Sequence, residues 1–402
     1  MIKNPLKYTC LFGGGAIRGI AHVGALRAME KLGIETNTYA GSSVGSIVAA
    51  LVGIGYNADE IEDIFLKVNF NLFKDIQFGI KQQFAISKGE VFLDWMRELL
   101  EKKFYGEKYV KGENPPVRFK DLKKNVVIIT TDLSNFSCKE FSKFETPDYE
   151  IAKAVRISSS MPGLMCPIEY ENAMLVDGDL QKSWPMWKLS KNLCPEDERI
   201  LELRLEGDFE GTDFNPIEYL NAVYSCMTAM GTSFITELYG ACDKYDYLTI
   251  NTGDVNIIDF NQSEDRRLHL SQLGYEQTIH YFKDVLPAKK ANIFNCYNNV
   301  YTKLLKIRTF IAKDKILNAK SESAEIFVDL CDCKKIIDSI DYEVIKDFHC
   351  SLASNIAYPA LFGRIKLNNK KEITSKLDSL ITQISEKMSE LKSYLTLINK
   401  SK

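Results

Sequence analysis

Histidine is scarce in this chain. The 402 residues contain four, His22, His269, His280 and His349. They are too dispersed to complete a zinc pattern with the ten cysteines, and no CxxC pair occurs. The closest two thiols, Cys331 and Cys333, sit in the stretch CDC. No D-x-D-x-D-G calcium loop is present either, so no metal and no cofactor are expected. Scattered cysteines without a framework argue against a disulfide-stapled scaffold and for reduced thiols. Charge of one sign is also missing. The formal net charge of -3 gives no global pull toward nucleic acid or anionic lipid. No run is apolar for the length of a membrane span. The opening MIKNPLKYTCLFGGG lacks a signal-peptide core with a cleavage site. A cytoplasmic protein is expected, with any membrane contact peripheral.

What remains is ordinary globular composition, 45% hydrophobic and 26% charged. The length exceeds one typical core, so a large domain with an appendage is expected. KYTCLF (7–12) reads as a buried strand stopped by Gly13. AIRGIAHVGALRAMEKLG carries helical periodicity to Gly33. TYAG reads as a second short strand and SIVAALVGIG as a second helix. Strand, turn, helix, repeated, is the pattern of an α/β layer. NVVIITTDL (125–133) is the clearest buried strand. EIAKAVRISSSMPGL reads as a helix broken at Pro162, and AMLVDGDL as a strand ending in an Asp-Gly turn. RILELRLEG and YDYLTINTG are further strands, with helix near 216–242 between them. From about residue 286 strand-like runs become few. Ile373, Leu377, Leu380, Ile381, Ile384, Met388, Leu391, Leu395 and Ile398 recur at spacings of three and four, a helical stripe. Packing within the chain is the favoured reading of that stripe. Self-association or partner docking through residues 370–398 is second.

Three short motifs carry chemistry. Gly41-Ser42-Ser43-Val44-Gly45 lies between a strand and an apolar helix. Glycines two before and two after a serine suit a nucleophile elbow, with Ser43 at a helix N-terminus. A Gly/Ser turn that only caps the helix is the plainer alternative. GGGAIRG (13–19) also joins a strand to a helix, and its clustered N–H groups suit a phosphate or an oxyanion. No Gly-Lys-Ser/Thr follows, which weakens the nucleotide reading. Arg18 is placed to steady this loop or to meet an anionic head group. VDGD (176–179) sets Asp177 at a strand end, where a plain Asx turn is the bland reading.

Taken in this order, glycine loop, G-x-S-x-G and a distant D-G resemble the patatin-like phospholipase family over residues 6–285. Softer marks are RFKDL, IITTDLSNFSCKEFS, RISSSMPGLMCPIEYENAMLVDGDLQKSWPM and GYEQT. The resemblance implies a three-layer α/β/α fold with a central, mostly parallel sheet, followed here by an all-helical C-terminal extension (286–402). It implies a Ser43–Asp177 dyad and no catalytic histidine, so His22 is read as structural. It also implies an oxyanion hole from Gly14, Gly15 and Ala16, with possible help from Val44. Gly13, Arg18 and Gly19 support that loop, and Gly41 and Gly45 shape the elbow. The implied substrate is a phospholipid or lysophospholipid, met at a membrane surface, and no nucleic acid. Three positions depart from the family pattern. Ala16 stands where a third glycine is usual, and it is expected to offer its N–H only with negative φ. Asp179 follows D-G where Gly or Ala is usual, and two carboxylates so close should raise the pKa of one. Ser183 replaces a common asparagine.

The aromatic run Phe70, Phe73, Phe78 and Phe84 suits a lipid-touching lid and a core cap about equally. Trp184 and Trp187 pose the same choice between acyl pocket and packing. Competing functions are a neutral-lipid or simple-ester hydrolase at the same site, and a gated or non-catalytic protein whose helical region binds a partner.

Overall fold

The computed structural model describes residues 6–74, 85–181, 198–208, 216–239, 244–255, 260–333, 339–358 and 364–400. Phe78, Phe84, Ser183, Trp184 and Trp187 lie outside them. The chain divides into two compact units. One comprises residues 1–236 and 244–281, the other 237–243 and 282–402.

The first unit is built on a mostly parallel sheet. Its strands are β1 (Lys7–Phe12), β2 (Glu35–Ser42), β3 (Ala85–Ser87), β4 (Asn125–Asp132), β5 (Ser137–Ser142), β6 (Gly163–Met165), β7 (Ile168–Tyr170), β8 (Ala173–Asp177), β9 (Arg199–Glu206) and β10 (Tyr245–Asn251). The central order is β10-β9-β1-β2-β4-β8-β7, with β5 also on β4 and β3 pairing β6 apart from it. From β10 to β4 every pairing is parallel, and β5, β7 and β8 add antiparallel ladders. Parallel strands buried on both faces read as unbroken apolar runs, as Val126 to Ile129 does. Fully burying each such side chain contributes roughly 1.5–3 kcal/mol.

The α-helices described in this unit are α1 (Ile20–Lys31), α2 (Val44–Ile54), α3 (Ala58–Lys67), α4 (Glu90–Tyr105), α5 (Ile151–Ser158), α6 (Pro216–Tyr239) and α7 (Glu264–His280). The tail of α6 passes into the second unit. α3 starts on a capping box, Asn57 accepting from the Glu60 N–H while Glu60 accepts from the Asn57 N–H. α1 and α7 cross at near backbone contact. A Cβ on Gly24 would sit 1.7 Å from the Ser271 carbonyl oxygen, and one on Gly274 would sit 1.9 Å from that of Ala21. The helix expected to break at Pro162 ends earlier, at Ser158, and Gly163–Met165 is strand instead. The strand expected at TYAG is twice as long, because Glu35 and Thr36 also pair with β1, across a register shift before Thr38, and Ser42 pairs with β4.

The second unit holds α8 (Leu286–Ala312), α9 (Ile316–Cys333), α10 (Ser339–Ser354) and α11 (Lys370–Lys400), with a two-residue ladder between Ile356–Ala357 and Lys366–Leu367. Each helix packs on two others, and their common core includes Leu304, Ile307, Leu352, Ile373, Leu377 and Ile384. Ile373, Leu377, Leu380, Ile384 and Leu391 of the stripe are buried in that core, and Ile381 and Met388 pack against it. The face considered for self-association through residues 370–398 is therefore occupied by the unit's own helices.

Candidate active site

Two strands end side by side. β2 leaves the sheet at Ser42, opposite Ile129 of β4, and β8 arrives at Asp177, opposite Thr130. β5 occupies the other edge of β4 through this stretch, so β2 and β8 share one edge. Adjacent register positions on β4 thus bring Ser43 and Asp177 together across 134 residues of chain.

At the elbow, Ser43 has φ 50° and ψ -128°, a strained geometry for a residue with a side chain. Such a conformation costs about 1–3 kcal/mol and persists only where the surroundings impose it. Here they do. The Ser43 N–H donates to Ser158 Oγ at 3.0 Å, and its carbonyl accepts from Ser46 N–H at 2.9 Å and Ser46 Oγ at 2.6 Å. Ser158 Oγ in turn donates to the Ile129 carbonyl at 2.5 Å. No side chain fits at the flanking glycines. A Cβ on Gly41 would lie 2.2 Å from the Gly45 oxygen, and one on Gly45 would lie 2.1 Å from the Phe12 oxygen.

The glycine loop follows β1. Gly13 donates its N–H to Leu203 O at 2.9 Å, and its carbonyl accepts from His22 Nε2 at 2.8 Å. His22 is fully buried with its ring edge-on to Phe12, a structural role under the loop. Arg18 donates from Nε to Val255 O at 2.7 Å and lies over Gly207. At Gly19 the Val44 side chain fills the space a Cβ would take. Ala16 has φ 46°, so the expected negative φ is not met. Its N–H is nonetheless open, because φ turns the chain after the nitrogen and leaves the preceding peptide plane where it was. Among the described residues the N–H groups of Gly15, Ala16 and Val44 have no hydrogen-bond partner. Gly14 differs: it donates to Asp179 Oδ1 at 3.0 Å.

Asp179 and Tyr224 are the residues that sequence reasoning did not assign to the site. Asp179 accepts from Gly14 N–H and from Ser42 Oγ (2.9 Å), tying the glycine loop to the elbow. Its own N–H donates to Asp177 Oδ1 at 2.8 Å. Tyr224 on α6 donates its hydroxyl to the same Oδ1 at 2.9 Å. The Asp177 N–H donates to Ser160 O at 3.0 Å. Asp177 is 1% exposed, and its Oδ2 has no hydrogen-bond partner among the described residues. Burial, and then the Asp179 charge, push the Asp177 carboxyl up to about 7. The Asp179 N–H and the Ser43 and Tyr224 hydroxyls oppose that rise. The like-charge effect expected from VDGD thus acts on Asp177, second to burial. The VDGD spacing held a signal for Asp179; nothing local marked Tyr224.

Phe70 and Phe73 pack on other rings, Phe70 against Phe65 and Phe260, Phe73 against Phe92 and Trp95, which is the core-cap reading for these two. Among the described residues no group of three or more His, Cys, Asp or Glu is placed to hold a metal ion, and no helix is long and apolar enough to cross a membrane.

Residues 11–185 match the model of the patatin-like phospholipase family. An uncharacterized protein of Acanthamoeba polyphaga mimivirus is 28% identical over 68% of this chain and 92% of its own length. A probable lipid hydrolase of Invertebrate iridescent virus 6 is 27% identical, covering 46% of this chain and 64% of that protein. The crystal structure of VipD from Legionella pneumophila aligns with a TM-score of 0.50 at 14% identity, over 96% of this chain and 88% of that one, a likeness of fold.

Proposed function

Starting from the patatin-like phospholipase domain that the chain carries over residues 11–185, we propose that it is a lipid acyl hydrolase of phospholipase A or lysophospholipase type, working through Ser43 and Asp177 within residues 6–285. The observation that carries this reading is the buried Asp177 Oδ2, without a hydrogen-bond partner among the described residues, beside a strained serine. Ionised Asp177 takes the Ser43 proton as Oγ bonds to the ester carbonyl carbon. Charge moves to the carbonyl oxygen, where the N–H groups of Gly15, Ala16 and Val44 stabilise it. Gly14 donates to Asp179 as a strut and not to the oxyanion. The C–O bond to the alcohol then breaks, and the alcohol leaves with the proton from Asp177. A water gives its proton to Asp177 and adds to the acyl carbon. The Ser43 ester bond breaks, the fatty acid departs, and Ser43 recovers its proton.

A pKa near 7 suits this work, since Asp177 is then basic enough to take a proton and still about half ionised at neutral pH. Peripheral membrane contact is supported by the outward face of α6, which exposes Tyr219, Val223, Met227, Met230 and Phe234 on the helix that reaches Asp177. The test is fatty-acid release from phosphatidylcholine vesicles, lysophosphatidylcholine and a p-nitrophenyl ester by the wild type, Ser43→Ala and Asp177→Asn. Release confined to the wild type is expected, with the lipids preferred. Preference for the short ester makes it a simple-ester hydrolase, and equal release by the variants removes the dyad.

A further inference from the structure

The two oxygens of Asp177 are not equivalent. Oδ1 accepts from the Asp179 N–H and from the Tyr224 hydroxyl, whereas Oδ2 has no partner among the described residues. Rotating the carboxylate away from this orientation would break both bonds at Oδ1 inside a buried site, where a hydrogen bond lost to a charged group is not replaced by water. One of those bonds is local, from two residues along the chain. The other reaches across 47 residues from α6.

α6 is thinly packed. Of its side chains that are described, Ile235 is the buried one, and no charged residue lies between Glu218 and Glu237. Among the described residues two polar contacts hold it to the sheet. One is Tyr224 on Asp177. The other is Thr236, whose Oγ1 accepts from Arg204 Nη1 at 2.7 Å. Arg204 is fixed by Glu202 at 2.8 Å and the Tyr245 hydroxyl at 2.6 Å. Helical spacing then sets Tyr224 against the dyad three turns before that anchor.

We propose that Tyr224 is a positioning residue for the reaction, holding Asp177 by Oδ1 so that Oδ2 is the oxygen presented to Ser43. This rests on Asp177 being the base for Ser43. Burial of its hydroxyl end and the two neighbouring carboxylates keep the Tyr224 phenol protonated well above its usual range, so it donates throughout the working pH.

The experiment is the rate at which a fluorophosphonate labels Ser43 in the full chain, measured from pH 5 to 9. It needs no knowledge of the natural lipid. The wild-type rate should rise through a midpoint near 7, the ionisation of Asp177. Tyr224→Phe should move the midpoint up by about one pH unit and slow labelling about tenfold at pH 6.5. Thr236→Val removes the other anchor and should leave the midpoint in place. An unchanged midpoint in Tyr224→Phe, or an equal shift in Thr236→Val, overturns the proposal, the second because the bond would then only fasten the helix. If Tyr224→Phe does not fold, 3,5-difluorotyrosine at position 224 keeps the shape and strengthens the donor. It should move the midpoint down, and no movement counts against the proposal. Asp177→Asn separates the two layers. If it labels at the wild-type rate, or the wild type is not labelled at Ser43, the dyad itself fails. If only Asp177→Asn loses labelling, the dyad stands and Tyr224 falls.

Discussion

In the helical unit, Leu304, Ile307, Leu352, Leu377 and Ile384 are buried among other apolar side chains. At the ends of β2 and β8, the same degree of burial is given to Asp177 and Asp179, beside a serine and an alanine with positive φ. The first arrangement follows the rule that buried groups be apolar. The second breaks it in three ways: like charges close together, a carboxylate oxygen with no hydrogen-bond partner among the described residues, and backbone strain. Local rules broken together at one place mark a site where stability is given up for chemistry. The helical unit carries no such cluster among its described residues and reads as scaffold.

The sharpest contrast comes from substitution. Ser43→Ala should lower fatty-acid release by about four orders of magnitude or more, without loss of folding by circular dichroism. Leu377→Ala or Ile384→Ala should do the reverse. Each removes buried apolar volume and should destabilise the helical unit by about 2–5 kcal/mol in urea unfolding, while the midpoint of the pH–rate profile stays put. A shifted midpoint would blur the division between site and scaffold.

Asp177→Asn tests the stability given up at the site. The folded-state pKa is raised from 3.8 to about 7. The favourable contribution of the proton is therefore complete below pH 3.8 and is lost as pH rises to about 7. Above that, keeping Asp177 ionised costs on the order of 4 kcal/mol. The variant should unfold at higher urea than the wild type at pH 8, and the gain should be at least halved at pH 5. A destabilised variant at pH 8 would mean that the carboxylate is better accommodated than its surroundings imply. The smallest effect is expected from Asp179→Asn, which keeps an acceptor for Gly14 and Ser42 but removes the neighbouring charge. The acidic limb of kcat/KM should move below its wild-type midpoint by about one unit or less. Movement upward would show that Asp179 acts on Asp177 by something other than its charge.

Much of this was legible along the chain because it is local. The elbow needs only Gly41, Ser43 and Gly45 between a strand and a helix, and the stripe from Ile373 to Ile398 needs only helical spacing. Val126 to Ile129 announced a buried strand by composition. Short pieces were harder. β6 and β7 are three residues each, too brief for periodicity, and their pairing partners are set by the sheet. Ala16 was legible as a departure from the glycine pattern, but its φ of 46° was not.

Sequence by itself determined which candidate groups the site has: a serine at a strand-to-helix turn, a glycine loop, and an aspartate with a second aspartate two residues on. It determined too that the tail is helical, since an apolar repeat of three and four has one periodic solution. Tertiary structure decided what those groups face. It set Asp177 one register position beyond Ser42 on β4, gave Gly14 to Asp179 across 165 residues, and delivered Tyr224 from a distant helix. The reason is physical. Backbone conformation follows from neighbours in the chain, whereas a buried carboxylate's partners and pKa follow from neighbours in space.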